Sequence, residues 1–591
     1  MTHLEGLPAA PGAARAPAWW ITAAAPPVEG RDAEAPPAVV ETELARLDDA
    51  LERAGAELEE LATRVAETAG QDEAAIFEAH AAFVADPELV EAARAAVREG
   101  ARAERATREA FDEVRAVLAA SSSEYLAARA ADLDDVRDRV VRKLTGADGE
   151  AAGPDEPVVI LADELSPSQT AELDLDRVRA VATRRGSPTS HAAILARSLG
   201  IPAVVGVRDL GDVGTGIPVG VDGDRGLVLV EPTEDEASQL DARARGHATR
   251  RERLAELRDE PGATADGVRV ELAANVGSEA DLAAASTAGA EGVGLLRTEF
   301  LYLDRADPPS LEEQTEAYAQ ALAWFPGARV VLRTLDAGAD KPLPFAARDD
   351  EPNPALGLRG IRLSLRTPEV FADQLRAVLR AAAAVGPDAA RPAIMLPLVS
   401  VPAEVEAAQR ILARVADEED VDLATVELGA MVEVPAAALR ARALAERCDF
   451  LSIGTNDLLQ YLFAADRLVG EIADLADLLD PAALALVRDV INAGHGAGCW
   501  VGVCGEAAAD LPTAAVLCGL GVDELSMAPA SIPEVKDLLR RHDHATLRGA
   551  AEQGLAATDA EAARAAVRRA VGLDESAAPA DPATTAGPAE R

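Results

Sequence analysis

The sequence predicts a multidomain α/β protein in which a small α/β unit, interrupted by a helical bundle, is followed by a closed (β/α)8 barrel. Three observations carry this reading. The chain has 591 residues, more than one ordinary core accommodates. From 38 to 146 it is rich in Ala, Leu, Glu and Arg with apolar residues at helical spacing, as in VETELARLDDALERAGAELEELATRVAE. Beyond 266, eight short apolar segments alternate with helical patterns over about 280 residues, which is what a closed barrel requires.

The elements follow in order. Residues 1–37 and 147–232 hold short apolar runs, such as VVILA, AVVGV and GLVLV, punctuated by Pro and Gly, and form the α/β unit around the inserted helices of 38–146. A charged stretch at 233–265, including ASQLDARARGHATRRERLAELRDEPG, reads as a linker helix. The barrel occupies 266–555, with strands ending in AANVG, GLLRTEF, VLRTLDAG, IMLPLVS, GAMVEVP, LSIGTND, VGVCGE and DELSMA. Residues 556–591 form a C-terminal extension whose last part, DESAAPADPATTAGPAER, lacks apolar periodicity and is expected to be disordered.

Composition narrows the function. The 57 basic and 102 acidic residues give a net charge of -45, which argues against nucleic acid and anionic membranes as partners. A basic protein partner remains open, although acidity also serves simply to keep an Ala-rich chain in solution. The cysteines Cys448, Cys499, Cys504 and Cys518 all lie in the last third without zinc-type spacing and read as reduced thiols. MTHLEGLPAAPGAARAPAWW lacks the pattern of a signal peptide, and no apolar stretch is long enough to span a bilayer, so a cytoplasmic location without membrane contact is expected.

Two sets of residues carry chemistry. In GSPTSHAAILARSLGIPAVVGV a turn leads through Thr189 and Ser190 to His191, and a helix begins there. Free N–H groups and the positive dipole end favour a phosphate at such a place, and a histidine nucleophile could hold a phosphoryl group covalently; the plain alternative is a helix cap. The second set lies at barrel strand ends. Arg297 and Arg333 end strands, and Arg359 and Arg467 stand in later loops; four guanidinium groups in one mouth suit a highly anionic small substrate. Glu433 and Asp457 add hard oxygen ligands suited to Mg2+, and Cys504 ends a strand where a thiol can serve as acid or base. Surface ion pairs and a buried apolar thiol are the corresponding plain readings. In EAAIFEAHAAFVADPELVEAAR, Ile76, Phe77, His80, Ala81 and Val84 share one helix side, either as core or, where exposed, as a docking surface.

These pieces, in this order, resemble the Enzyme I family of the bacterial sugar phosphotransferase system from about Gly6 to about Leu555. The resemblance rests on IFEAHAAFVADPEL and SEYLAARAADLDDV, on SPSQTAELD and PTSHAAILARS, and on GAEGVGLLRTEFLYLDR, RTLDAGADKPLPF, NPALGLRGIRLSL, MVEVPAAA, FLSIGTNDLLQY, GVCGEAAAD and DELSMAPASIPEVK. It implies a swivelling phosphohistidine domain and a barrel that binds phosphoenolpyruvate and dimerises. It further implies phosphorylation of His191 by phosphoenolpyruvate, with Arg297, Arg333, Arg359 and Arg467 gripping the phosphate and Asn456 on the carboxylate side. Glu433 and Asp457 would hold Mg2+, Cys504 would protonate the enolate to pyruvate, and the helical region with His80 and Arg129 would dock the carrier HPr. The family pattern is departed from at Ser187, Ala339 and Leu468 to Gly470, none of which removes a proposed catalytic side chain.

An ATP-dependent dikinase or synthase would join a similar phosphohistidine unit to a similar barrel, but no GxxxxGK[ST] loop precedes the phosphohistidine turn. A non-catalytic regulatory relative, or an aldolase-like barrel, are the remaining alternatives.

Overall fold

The computed structural model describes residues 2–21, 37–68, 71–119, 124–146, 156–188, 190–302, 305, 307–337, 351, 353–386, 389–466, 469, 472 and 475–573. The chain divides into two compact units, Met1–Glu252 and Arg253–Arg591. No described helix is long and apolar enough to cross a membrane. The tail expected to be disordered lies outside the described residues.

In the first unit, strands β1 (Thr2–Glu5), β2 (Leu7–Ala10), β3 (Ala13–Ile21), β4 (Val158–Ala162), β5 (Val178–Thr183), β6 (Ala203–Val205), β7 (Pro218–Asp222) and β8 (Leu227–Val230) form one sheet. Its order is β1-β8-β7-β3-β4-β5-β6-β2. The run from β3 to β6 is parallel, and the flanking pairings are antiparallel. β4 is buried along its whole length, which is why VVILA shows no polar alternation.

Helices α1 (Pro37–Thr68), α2 (Gln71–Val84), α3 (Pro87–Arg98), α4 (Ala103–Ala119) and α5 (Glu124–Thr145) are inserted between β3 and β4. Leu47, Leu51, Ala54, Leu58, Leu61 and Val65 lie three or four apart on α1 and share a core with Phe77, Phe111, Leu133 and Val140. Asp86 starts α3 by accepting from the N–H groups of Glu88 and Leu89, and Pro87 occupies a first-turn position that needs no N–H. After β4 come α6 (Pro167–Ala171) and, after β5, α7 (His191–Ser198). Leu195 of α7 belongs to the bundle core, so the helix that opens at His191 rests on the inserted helices.

α8 (Glu234–Glu256) leads into the second unit. There β9 (Glu271–Val276), β10 (Val293–Arg297), β11 (Arg329–Arg333), β12 (Arg391–Leu396), β13 (Glu427–Val432), β14 (Phe450–Gly454), β15 (Trp500–Cys504) and β16 (Glu524–Met527) close into a barrel of parallel neighbours. Side chains alternate as a barrel demands: Val330 and Leu332 face the outer helices, whereas Val331 points inside with Leu295, Met395, Met431, Phe450 and Cys504. Gly429 is required beside Phe450, because a Cβ there would lie 2.5 Å from the ring.

The floor of the barrel is charged. Glu271, Arg329, Glu427, Trp500 and Glu524 are each the first residue of a strand. Arg329 lies 3.3, 3.4 and 3.6 Å from Glu271, Glu427 and Glu524, and 3.9 Å from the Trp500 ring centroid, while Trp500 stacks on Phe450. Late in the chain, the helix Ala560–Ala570 packs on the barrel through Ala563 and Val567, and its Arg564 pairs with Asp477 and Asp510.

Candidate active site

The opposite end of the barrel gathers the polar residues. Arg297 and Arg333 are the last residues of β10 and β11 and are partners in register; Arg297 is exposed, while the Arg333 side chain is largely covered. Cys504 closes β15 opposite Gly454, the last residue of β14. Glu433 follows β13 directly, and Asn456 and Asp457 stand in the first turn of the helix Thr455–Phe463.

These side chains form an alternating series of charges. Glu299, two residues beyond Arg297, accepts from Arg333 Nη2 at 2.9 Å. Arg333 Nη1 lies 3.3 Å from Asp336. Asp336 takes a two-point fork from Arg359, Nε at 3.1 Å and Nη2 at 2.8 Å, and Arg359 Nη2 also donates to Asp457 at 3.0 Å. Burial by itself opposes the charge on Arg359, but Asp336, Asp457 and Glu433 outweigh it and raise its pKa above the ordinary value. The balance at Arg333 is the same, with burial opposed by Glu299 and Asp336. Both guanidinium groups are therefore fixed cations in a water-poor mouth.

Asp336, Glu433 and Asp457 are all buried, and each offers an oxygen within 4.8 Å of the others. Burial, then the charges of Asp336 and Asp457, push the Glu433 carboxyl up to about 8. Three crowded hard oxygens whose mutual repulsion is incompletely offset by arginine fit a divalent cation. The backbone supports this arrangement. Leu398 sits in the left-handed region at φ 56° and donates its N–H to Glu433. Gly360, at φ 57°, leaves room for Leu398, whose Cβ would be 2.7 Å from a Cβ there.

Cys504 is 2% exposed, and Ser452 Oγ donates to its Sγ at 3.3 Å. Burial pushes the thiol up to about 11, so it carries its proton at neutral pH. Asn456 Oδ1 accepts weakly from the Glu506 N–H at 3.4 Å, joining the loops after β14 and β15. Arg467 and Ala339 lie outside the described residues, as does Leu468.

In the first unit His191 opens α7, with Ser190 as N-cap accepting from the Ala193 N–H at 3.3 Å. Gly186 adopts φ +112°, the conformation that the preceding turn needs and glycine supplies. A small cleft at the start of α7 is lined by Thr170, Thr183, Gly186, Ser190 and Ala193. The side chains of His191 and of Arg129, which is carried by α5, lie outside the described residues.

His80 requires a correction. Its side chain is fully buried between α2 and α5, with Nε2 3.6 Å from Asp132, Nδ1 3.9 Å from Asp135 and the Phe77 ring edge-on. The helical stripe that carries it faces the bundle core, so His80 offers no surface for a partner to touch. Conversely, sequence reasoning passed over Glu299 and Asp336. The signal was present in RTEF and RTLDAG, where each acid follows a strand-end arginine within three residues and so falls at the barrel mouth.

Three family models match in succession: "PEP-utilising enzyme, N-terminal" at 5–129, "PEP-utilising enzyme, mobile domain" at 154–226, and "PEP-utilising enzyme, PEP-binding domain" at 251–544. A Haloferax volcanii protein named phosphoenolpyruvate-protein phosphotransferase is 45% identical, covering 88% of this chain and 91% of its own. A Streptomyces coelicolor protein of the same name is 47% identical over 85% of this chain and 88% of its own. Another, from Staphylococcus carnosus, is 39% identical over 88% and 91%. With all three models matched in order and this identity sustained along nearly the whole length, the chain belongs to the phosphoenolpyruvate-protein phosphotransferase family.

Proposed function

We propose that the chain transfers the phosphoryl group of phosphoenolpyruvate to its own His191 and then to a histidine of the carrier HPr, releasing pyruvate as the first step of sugar uptake. The observation that carries this reading is the barrel mouth, where Arg333 and Arg359, the acidic trio Asp336, Glu433 and Asp457, and the protonated thiol of Cys504 meet at strand ends.

Arg297, Arg333, Arg359 and Arg467 take the phosphoryl oxygens, and Asn456 the carboxylate. Phosphoryl transfer needs positioning and charge neutralisation above all, which fixed guanidinium groups in a covered site supply. A His191 ring nitrogen forms the new N–P bond as the bond from phosphorus to the enol oxygen breaks. The enolate left behind takes a proton at its methylene carbon from Cys504, giving pyruvate, and the thiolate is reprotonated from water. Glu433 and Asp457 would hold Mg2+, which supplies further charge neutralisation for the phosphoryl and carboxylate oxygens. Arg129 and the exposed face of the inserted helices receive the carrier. Dimerisation through the barrel unit and a cytoplasmic location complete the reading.

The test is incubation with labelled phosphoenolpyruvate with and without Mg2+, followed by peptide mapping of wild type and His191→Ala. Acid-labile label on His191 that requires Mg2+ and chases onto HPr is the expected result. A folded wild type that takes no label would sink the enzyme reading.

A further inference from the structure

We propose that Glu299 is a positioning residue for phosphoryl transfer: from the loop after β10 it fixes the guanidinium of Arg333 and the backbone that carries Asp336. This deepens the function proposed above and rests on it for its kinetic consequences. Glu299 is 3% exposed. One oxygen, Oε1, accepts from both Arg333 Nη2 at 2.9 Å and the Asp336 N–H at 3.0 Å. The other, Oε2, has no hydrogen-bond partner among the described residues.

The loop after β11 shows why a charge stands there. Three successive N–H groups are partnered: Thr334 with the Met395 carbonyl at 3.0 Å, Leu335 with Gln374 Oε1 at 3.0 Å, and Asp336 with Glu299. Gln374 demonstrates that a neutral acceptor suffices to hold this backbone. A buried carboxylate with an unpartnered oxygen is costly in a dry site, and among the described residues Arg333 is the cation paired with it. Glu299 engages Nη2 of that arginine, Asp336 lies beside Nη1, and Nε has no partner among the described residues. The guanidinium is thereby set in one orientation before substrate arrives. The same carboxylate holds Asp336, which in turn forks to Arg359, so one side chain registers both arginines.

Glu299→Ala and Glu299→Gln test this, with thermal midpoints measured alongside. Misplacement of a binding group by about 1 Å costs on the order of 100-fold, so Glu299→Ala is expected to lower kcat/KM for phosphoenolpyruvate by about that factor, chiefly through kcat, with Glu299→Gln recovering about tenfold. A substrate-free readout accompanies the kinetics: modification of Arg333 by phenylglyoxal, followed by peptide mass mapping against a surface arginine such as Arg177. It is expected to be at least about fivefold faster in Glu299→Ala, because the charge-assisted bond that holds the guanidinium is gone. Unchanged Arg333 reactivity in a folded variant overturns the proposal, as does a kcat/KM within twofold of wild type. If Glu299→Ala does not fold, Glu299→Gln decides by the same two measurements. If wild type takes no label from phosphoenolpyruvate, the functional reading fails, and the Arg333 reactivity still judges the positioning.

Discussion

Arg359 donates from Nη2 to Asp457 at 3.0 Å, joining a loop to the first turn of the helix Thr455–Phe463 across 98 positions. The arginine proposed to take the phosphoryl group is thus held by a carboxylate proposed to take the metal. Anything that claims Asp457 for a cation weakens one of the three bonds that hold Arg359 and makes its Nη2 more available to substrate.

Phosphoenolpyruvate binding is therefore expected to depend on Mg2+ even without turnover. Coupling between sites of this kind runs about 5- to 150-fold, so calorimetric affinity in chelator is expected to be at least about tenfold weaker than with Mg2+. Asp457→Asn, which weakens both the metal site and the grip on Arg359, is expected to lose most of that dependence. Equal affinities with and without Mg2+ in wild type would refute the coupling.

Cys504 is placed to give a proton, since its thiol remains protonated well above neutral pH and lies inside the barrel near the candidate metal ligands. General acids contribute about 100- to 10,000-fold, and Cys504→Ser is expected to reduce pyruvate formation by at least the lower figure. The substitution is nearly isosteric beside Ser452, so the thermal midpoint is expected to move by only a few degrees. Pyruvate release at the wild-type rate from Cys504→Ser would remove Cys504 from the mechanism.

His80 behaves as a core residue, and its replacement should reveal that. His80→Ala opens a cavity beside Phe77 and leaves Asp132 and Asp135 without the imidazole. A loss of about 2–4 kcal/mol of stability is expected, read from denaturant unfolding of the full chain, with the KM for the carrier changed by less than about threefold in the folded fraction. A large rise in that KM at unchanged stability would restore a direct role in docking.

Much of this architecture was legible in the sequence because it depends on local periodicity. The stripe from Leu47 to Val65 repeats every three or four residues, and each barrel strand announces itself as a short apolar run. Arg333, Glu433, Asp457 and Cys504 could be singled out for the same reason: they stand at or just after the ends of such runs. Glu299 and Asp336 were missed because local spacing after a strand-end arginine places them only at the barrel mouth, whereas their pairing with Arg333 and Arg359 is set across segments. His80 failed differently. A helical stripe specifies one face but not whether that face meets solvent or the neighbouring helix, and here α5 covers it. The floor of the barrel was invisible as well, since Glu271, Arg329, Glu427 and Glu524 come from four separate strands.

That floor carries a pH dependence. Glu524 is 1% exposed, and burial, followed by the charge of Glu271, pushes its carboxyl up to about 8, with Arg329 acting in the opposite direction and Glu427 adding to the rise. An unfolded glutamate titrates near about 4.3, so between these values the folded state holds a proton that the unfolded state has released. Stability contributed by this group is full below the unfolded pKa and is lost as pH rises through the folded one. Thermal midpoints are thus expected to fall between pH 5 and pH 8, with a slope of at most about 1.4 kcal/mol per pH unit for one proton. Glu524→Gln imitates the protonated form at all pH values and should make the profile shallower, leaving the dependence that Glu433 imposes in the same direction. If wild type and Glu524→Gln lose stability in parallel from pH 5 to pH 8, Glu524 is ionised throughout and Arg329 neutralises the floor more completely than its distances imply.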